Sequence, residues 1–299
     1  MALSKEAKQK IKKLKREYDS LRKDKESLLD ILFEAELPES VYNSNAIENS
    51  TLTIAETEKI LMEMEVSRDV SVREVFEAKN LARVFEYIKN KVGTKNIDKN
   101  LILLLHKMLI ENIDNTISGR FRKMNEHVRV GTYIAPAPEH IEAMIDAMLL
   151  EYSSAQEVYF LEKISRFHLD FETIHPFCDG NGRIGRVLIN YQLLQTGFPP
   201  VIIRDKEKKA YYASFKEYIR SNKKKIDVME KVLLMSLLES LHKRIAYLKG
   251  EKIVRLSEYA KIIDEKSSIV LNKAKRQTIS AFREKGVWKI GIRNQGNKN

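Results

Sequence analysis

The stretch HPFCDGNGRIGR, residues 175–186, decides how the rest of the chain is interpreted. It gathers one histidine, one acid, one amide, two arginines and three of the chain's 11 glycines. One helical pattern ends near Ile174 and another begins near Gly182, so the stretch is predicted to be a loop that leads into a helix. A helix N-terminus presents unpaired N–H groups and the positive end of the helix dipole, which together favour a bound anion.

The side chains of this stretch add the chemistry of phosphate handling. Arg183 and Arg186 are planar donors suited to phosphate oxygens and lie on neighbouring parts of one helix face. Asp179 is a hard oxygen ligand suited to a phosphate-bound Mg²⁺, and His175 is a natural general base near neutral pH. Each residue alone also fits a plain glycine-rich turn with surface arginines and a core histidine. The constellation as a whole favours a phosphate site.

The composition of the chain favours long helices. Its 299 residues include only 11 glycines and 6 prolines, too few turn residues for a sandwich, a propeller or a disulfide-stapled scaffold. No apolar run reaches the roughly 18–20 residues of a membrane span, and no signal peptide is recognised, so no membrane partner is expected. The single cysteine, Cys178, excludes an internal disulfide and predicts a reducing, cytoplasmic location.

Apolar residues recur at helical spacing along most of the chain. Near the N-terminus, the alternation from Ile11 to Leu32, broken only by Lys25, predicts an amphipathic helix. Between Phe121 and Pro138, β-branched residues and turn formers instead predict a short hairpin. The further predicted helices span residues 55–65, 71–91, 97–113, 139–152, 157–174, 182–195, 210–221 and 226–248.

The sequence changes character after Gly250. Residues 251–299 hold 12 basic and 5 acidic residues, which gives +7 of the chain's net charge of +11. Two short helical segments are followed by two strands, ISAFRE and VWKIGI, joined at Lys285–Gly286. This order predicts a small winged helix-turn-helix, and its basic excess suits either phosphate contacts with DNA or the docking of a protein.

Residues 175–186 resemble the signature of the Fic family, His-x-Phe-x-Asp/Glu-Gly-Asn-Gly-Arg-x-x-Arg, at every fixed position. The resemblance covers roughly residues 40–225 and implies an all-α fold, with a Fic-type helical core and a β-hairpin flap. It also implies a nucleotidyltransferase activity, the transfer of AMP from ATP to a Ser, Thr or Tyr hydroxyl of a target protein, with release of pyrophosphate. ATP is then the co-substrate and Mg²⁺ the metal.

The resemblance also implies a role for each residue of the motif. His175 would be the catalytic base that deprotonates the target hydroxyl, and Asp179 would hold Mg²⁺ between the α- and β-phosphates. Arg183 would contact the phosphates, and Arg186 would bind the γ-phosphate. The anion cradle would consist of Gly180, Asn181 and Gly182.

Two further segments resemble parts of the family that contact the nucleotide or the target. VGTYIAPAP, starting at Val130, resembles the hairpin along which a target segment is aligned by strand addition. Its residues near the nucleotide or target would be Gly131, Thr132 and Tyr133. Tyr211 and Tyr212 stand where the family often places a pair that contacts the adenosine, although the residues themselves also fit core positions.

Residues 44–49 resemble the family's inhibitory motif, Ser/Thr-x-x-x-Glu-Gly/Asn. The matching residues are Ser44, Glu48 and Asn49. The resemblance implies that Glu48 pairs with Arg186 and takes the place that the ATP γ-phosphate needs. The alternative is that Glu48 is a surface acid before a helix that starts at residues 50–56.

These observations predict a chain of five parts: an N-terminal helical region (1–39), a Fic domain that includes the inhibitory motif (40–225), a connecting helix (226–250), the winged helix-turn-helix (251–292) and a disordered tail (293–299). Self-modification, a homodimer, and a DNA or protein partner for residues 251–292 stay open. Two other functions stay open as well. One is other phosphate chemistry on the same fold, such as AMP removal or transfer of another phosphate group. The other is a DNA-binding regulator that senses a nucleotide.

Overall fold

The computed structural model describes residues 3–66, 70–91, 93 and 96–293. The predicted all-α class with a β-hairpin flap is confirmed. The described helices are α1 (Lys5–Leu21), α2 (Glu26–Ile47), α3 (Ile54–Glu58), α4 (Val72–Lys91), α5 (Lys99–Ile110), α6 (Ile141–Ser154), α7 (Phe160–Ile174), α8 (Asn181–Gln195), α9 (Lys208–Arg220), α10 (Asp227–Leu248), α11 (Leu256–Ile262) and α12 (Ser267–Lys275). The described strands are β1 (Arg129–Val130), β2 (Tyr133–Ile134), β3 (Lys252–Arg255), β4 (Ala281–Glu284) and β5 (Val287–Ile292).

The N-terminal segment forms two helices, so the prediction of one amphipathic helix through Leu32 is wrong in its extent. The break falls where Asp24 adopts a left-handed φ of 61°, and Lys25 then stands at the N-cap position of α2 without a capping side-chain hydrogen bond. Ile11 and Tyr18 of α1 are buried in the same apolar cluster as the side chains of α10.

Helices α7 and α8 lie at the centre of the molecule, because their side chains enter both large apolar clusters. On one side, Phe171 and Val187 pack with α2, α4, α5 and α6. On the other side, Leu169 and Ile189 pack with α1, α9 and α10. The loop that joins α7 to α8 is therefore fixed by buried side chains on both sides.

Residues 252–292 form a small unit that packs on α10. Strands β3, β5 and β4 make an antiparallel sheet in that order, and the two helices lie between β3 and β4 in sequence. The predicted tight turn is present: Glu284 pairs with Val287, and Lys285 and Gly286 both have positive φ. Strand β3, which is only four residues long, was not predicted from the sequence. The element order agrees with the predicted winged helix-turn-helix, and that name stays a prediction.

One of the predicted boundaries between parts of the chain falls inside a continuous helix. The division after residue 39 falls inside α2, so the helical region and the inhibitory motif share one helix. The predicted connecting helix corresponds to α10, and residues 294–299 of the predicted tail lie outside the described residues. Among the described residues, no helix is long and apolar enough to cross a membrane.

Candidate active site

The loop between α7 and α8 is short because both of its ends turn in the left-handed region. His175 ends α7 with φ 50°, and its N–H donates to Phe171 O over 2.9 Å. Gly180 precedes α8 with φ 84°, where glycine is preferred because it has no Cβ. Asn181 begins the helix, so the first turn of α8 opens directly onto the loop.

Asn181 fixes the loop internally. Its side chain is buried, its Oδ1 accepts from Phe177 N over 2.9 Å, and its Nδ2 donates to Phe177 O over 2.8 Å. The amide side chain is thus engaged within the protein, and only the backbone of Asn181 is left for the anion cradle predicted from the sequence.

The side chain of His106 packs against the loop that joins α7 to α8. Its ring stacks on Phe177 with centroids 3.7 Å apart, and its two nitrogens contact Asp179 O and Gly119 N, each over 3.1 Å. Since a carbonyl accepts and an N–H donates, Nε2 carries the proton and Nδ1 accepts. Burial lowers the pKa of His106 to about 4, which keeps the ring neutral.

His175 is the first residue of the loop, and one of its ring nitrogens faces the last turn of α7. Its Nδ1 lies 3.3 Å from Glu172 O, and Arg122 Nε donates to His175 O over 3.0 Å. Burial lowers the pKa of His175 to about 4, so the imidazole is neutral at neutral pH. A neutral imidazole is the form that can accept a proton.

Asp179 is held by cations rather than left free. Arg183 Nη2 donates to Asp179 Oδ1 over 3.0 Å, Arg73 of α4 pairs with Oδ2, and Gly180 N donates to Oδ1 over 2.6 Å. Burial alone would raise the pKa of Asp179, but the two arginines hold it below its usual value. Glu77 bridges both guanidinium groups, which completes a four-membered ion network.

This carboxylate fits a magnesium ion that arrives with phosphates. Among the described residues, no group of three or more His, Cys, Asp or Glu side chains could hold a metal ion. Asp179 is thus a single hard oxygen ligand, and Mg²⁺ commonly uses one or two carboxylates together with phosphate and water oxygens.

Arg186 is the second arginine of the motif, and it points to the end of α2. Its Nε donates to Ser44 Oγ over 2.9 Å, and its Nη2 donates to Ser44 O over 2.7 Å and to Glu48 Oε1 over 2.9 Å. Ser44 and Glu48 are four residues apart and therefore lie on one face of the helix. The Arg186 side chain is 4% exposed, whereas that of Glu48 is 36% exposed.

The end of α2 explains the third residue of the inhibitory pattern. Asn49 adopts φ 69°, its N–H donates to Ala46 O, and Ser50 N donates to Asn45 O. These two bonds and a left-handed residue after the cap define a Schellman ending, which favours glycine or asparagine at that position. Lys208 Nζ then donates to Asn49 Oδ1 over 2.8 Å, which ties the helix end to α9.

The carboxylate of Glu48 lies over the first turn of α8. A Cβ at Gly182 would sit 2.2 Å from Glu48 Oε1 and 3.0 Å from Arg186 Nη1. The missing side chain at Gly182 is therefore what lets an anion lie against this helix N-terminus. In this structure that anion is Glu48.

The two tyrosines of α9 secure the same region. Tyr211 is buried, and its hydroxyl meets Arg186 Nη1 at 3.2 Å and His168 Nε2 at 2.9 Å. The hydroxyl of Tyr212 donates to Ile47 O over 3.1 Å. Tyr211 thus contacts Arg186, Tyr212 contacts the end of α2, and contact of either with an adenosine stays a prediction.

The flap is a hairpin of two short strands, with Arg129 paired to Ile134 and Val130 to Tyr133. Gly131 and Thr132 form its exposed turn, and Gly131 has φ 60°. Tyr133 is anchored differently, since its hydroxyl donates to Thr173 O over 3.1 Å. The flap is therefore tied to the end of α7, close to His175 in the sequence.

Sequence reasoning missed Arg122, which joins the flap to the loop. Besides its bond to His175 O, its Nη2 donates to Pro136 O over 2.8 Å, and Arg122 N donates to Pro176 O over 2.9 Å. Nothing in the local sequence distinguishes this arginine from others, because its role depends on carbonyls that are distant in the chain.

The fold and the site together define a helical protein whose central loop presents a histidine, a carboxylate and an anion-binding helix N-terminus. Residues 96–193 match the Fic/DOC family model. The match covers about a third of the chain and includes the loop between α7 and α8.

Curated relatives carry the name of an enzyme. The chain is 32% identical over 176 residues to "Protein adenylyltransferase Fic" of Nematostella vectensis, covering 58% of this chain and 41% of the relative. It is 31% identical over 179 residues to "Protein adenylyltransferase fic-1" of Caenorhabditis elegans, covering 58% and 35%. The chain thus spans less than half the length of these relatives.

Solved structures show the same fold. A Fic domain containing signaling protein from Bacteroides thetaiotaomicron superposes with a TM-score of 0.71 at 26% identity, covering 81% of this chain and 97% of that one. A Fic family protein from Desulfovibrio desulfuricans gives a TM-score of 0.64 at 17% identity and covers 100% and 99%. At that identity the likeness concerns the fold alone, and it extends over the C-terminal unit.

Proposed function

We propose that this protein transfers AMP from ATP to a hydroxyl of a target protein, and that Glu48 restrains the reaction from within the chain. One observation carries the proposal: the Glu48 carboxylate lies against Gly182 at the N-terminus of α8 and accepts from Arg186. An anion of the chain thereby occupies the place that a nucleotide phosphate would need. The names of the relatives support the AMP transfer, and the contact supports the restraint.

The proposed transfer uses His175 as the base. The target hydroxyl gives its proton to His175 as its oxygen bonds to the α-phosphorus of ATP. The bond from that phosphorus to the bridging oxygen breaks, and its electrons leave with pyrophosphate. Arg183, Arg186 and the N–H groups of the first turn of α8 would hold the phosphates, so the chain acts mainly through positioning and electrostatics.

Mg²⁺ is part of the proposal, and Asp179 is the residue that would hold it. The ion would neutralise charge on the nucleotide phosphates. The ion pairs that Asp179 now makes with Arg73 and Arg183 support a site adapted to exchange one positive partner for another.

The target hydroxyl would belong to another protein or to this chain. The flap supports binding of an extended segment, because the side chains of Val130 and Ile134 are exposed along its short strands.

The ion pairs of the C-terminal unit favour a role in internal packing over DNA binding. The basic residues of its hairpin are occupied: Arg283 pairs with Glu239 and Glu207, and Lys285 pairs with Glu58. A DNA partner, a homodimer and a cytoplasmic location stay predictions from the sequence.

The identity of the transferred group tests the proposed chemistry. The Glu48→Gly protein is incubated with a cell lysate and ATP that carries a radioactive α-phosphate or, separately, a radioactive γ-phosphate. We expect protein labelling from the α-labelled ATP only, and none when His175→Ala is added to Glu48→Gly. Labelling from γ-labelled ATP would indicate phosphate transfer instead, and no labelling from either would contradict the proposal.

A further inference from the structure

Tyr211 is a buried tyrosine of α9 that the proposed reaction leaves without a role. It is 1% exposed, and its ring packs edge-on against that of Phe215, with the two centroids 4.9 Å apart. A hydroxyl inside a protein costs free energy unless it forms hydrogen bonds. Among the described residues, the Tyr211 hydroxyl contacts Arg186 of α8 and His168 of α7, so it joins three helices.

Tyr211 can act toward Arg186 only as a hydrogen-bond acceptor. A guanidinium group has donors and no acceptor, so Arg186 Nη1 donates to the Tyr211 hydroxyl oxygen over 3.2 Å. Burial raises the pKa of Tyr211 well above its usual value, so the hydroxyl keeps its own proton. That proton points to His168 Nε2, 2.9 Å away, because burial and the charge of Arg186 lower the pKa of His168 to about 3 and keep its ring neutral. The Tyr211 oxygen is thereby turned toward Arg186.

The position of His168 depends on the third glycine of the motif. A Cβ at Gly185 would lie 2.8 Å from His168 Cε1 and 2.9 Å from His168 Nδ1, which is too close for either atom. Gly185 is inside α8, where alanine would be the better helix former. The missing Cβ lets the ring of His168 lie against α8 and reach the Tyr211 hydroxyl.

The bond from Tyr211 differs from the other bonds of Arg186 in the helix that supplies it. Ser44 and Glu48 hold Arg186 Nε and Nη2, and these two residues are a member and the C-cap of α2. Tyr211 holds Nη1 from α9, so withdrawal of the Glu48 carboxylate leaves this bond in place. A Cβ at Gly182 would lie 3.0 Å from the same Nη1, so the nitrogen that Tyr211 holds also borders the N-terminus of α8.

We propose that Tyr211 is a positioning residue for Arg186, which keeps the guanidinium group at the N-terminus of α8 when Glu48 has withdrawn and a γ-phosphate takes its place. Arg186 then meets the γ-phosphate already ordered, and such preorganisation strengthens binding. In this role Tyr211 acts through Arg186 and needs no contact with the nucleotide. The consequence for ATP binding rests on the proposed function, whereas the effect on Arg186 itself does not.

NMR of the Arg186 side chain tests this inference without any nucleotide. In the Glu48→Gly protein, the guanidinium signals of Arg186 are identified by their loss in Arg186→Gln, and exchange between the two Nη groups reports rotation about the Cζ–Nε bond. Adding Tyr211→Phe removes one hydrogen bond to the guanidinium group and should speed this rotation about fivefold. A rotation that stays at the Glu48→Gly rate in Tyr211→Phe would overturn the inference.

Tyr218→Phe is the matched control for this measurement. Tyr218 is also a buried residue of α9, and its hydroxyl donates to Asp170 Oδ1 over 3.0 Å. Its replacement therefore costs a buried hydrogen bond in the same helix without touching Arg186. It should leave the rotation at the Glu48→Gly rate, and an acceleration equal to that of Tyr211→Phe would show general loosening of α9 and contradict a specific role for Tyr211.

Binding of ATP and ADP distinguishes the positioning of Arg186 from a contact with the adenosine. Isothermal titration calorimetry with Mg²⁺ measures the Kd of each nucleotide for a protein that carries Glu48→Gly and His175→Ala, so that no transfer occurs. Adding Tyr211→Phe should raise the Kd of ATP about fivefold and leave that of ADP unchanged, because only ATP has a γ-phosphate. A rise of the same size for both nucleotides would overturn the inference.

Arg186→Gln in the same protein separates this inference from the proposed function. If it raises the Kd of ATP and not that of ADP, Arg186 holds the γ-phosphate, and an unchanged Kd of ATP in Tyr211→Phe then overturns the inference. If Arg186→Gln leaves the Kd of ATP unchanged, the proposed place of the γ-phosphate fails, and the NMR measurement still decides whether Tyr211 positions Arg186.

Discussion

The two charged regions of α2 differ in how deeply they are buried. In the middle of the helix, the Glu36 side chain is 10% exposed, and its partner Arg244 is 4% exposed. At the end of the helix, Glu48 is 36% exposed and pairs with the buried Arg186. Both regions join a carboxylate of α2 to an arginine from another helix, yet only the end of the helix borders the loop that carries His175.

The middle of α2 belongs to a network that includes the C-terminal unit. Lys243 Nζ lies 3.0 Å from Glu36 Oε1 and 3.0 Å from Glu284 Oε1, which is in β4. Glu39 accepts from Gly286 N over 3.1 Å and pairs with Arg204. The hairpin of the C-terminal unit therefore contacts the same helix that carries Ser44 and Glu48.

This difference indicates which contact can be exchanged. Removing one partner of an ion pair that is buried on both sides leaves a buried charge and costs several kcal/mol, whereas a pair with one partly exposed partner, such as Glu48 with Arg186, is worth less. The middle of α2 is thus fixed, and its end can give way to another anion. The proposed restraint would then be relieved locally, while the rest of the helix stays packed.

The largest expected effect is a loss of stability when the buried ion pair between Glu36 and Arg244 is broken. Arg244→Ala should lower the free energy of unfolding by about 3 kcal/mol, because it takes a buried positive partner from Glu36. Urea denaturation followed by circular dichroism measures this change. Lys249→Ala is the matched control, since Lys249 is the C-cap residue of α10 and pairs with Glu17 at the surface, and it should cost less than about 1 kcal/mol. Equal losses in the two variants would remove the contrast between the two regions.

A smaller effect is expected at the end of α2, where Ser44 and Glu48 accept hydrogen bonds from Arg186. Ser44→Ala removes the hydroxyl that accepts from Arg186 Nε, a hydrogen bond worth about 1 kcal/mol. The rate of AMP transfer should rise about fivefold, as measured with α-labelled ATP, because Arg186 is then held less firmly by α2. Ser40→Ala, one turn earlier in the same helix, should leave the rate unchanged. A Ser44→Ala rate equal to that of Ser40→Ala would contradict a restraining role for this bond.

The central loop could be predicted from the sequence because its residues are contiguous. A stretch of 12 residues carries most of its chemistry in its own order, and short-range rules locate the helix that begins within it. The inhibitory pattern at Ser44 and Glu48 was accessible for the same reason, since both residues lie one turn apart on a single helix.

The remaining features depend on contacts between distant segments. Arg122 and Arg73 gain their roles from His175 and Asp179, which lie 53 and 106 positions away. Strand β3 pairs with β5 across the whole C-terminal unit, and four residues carry too weak a pattern to reveal it. The partner of Gly185 is likewise a side chain from the preceding helix, so the sequence could not explain that glycine.

The initial rate of AMP transfer by the Glu48→Gly protein, relative to the unchanged chain, tests the central claim most directly. A hydrogen bond to a charged group is worth about 1.5–3 kcal/mol, and about 1.4 kcal/mol corresponds to tenfold, so loss of the bond to Arg186 should raise the rate at least about tenfold. Equal rates for the two proteins would contradict the claim that the Glu48 carboxylate holds the place of a nucleotide phosphate.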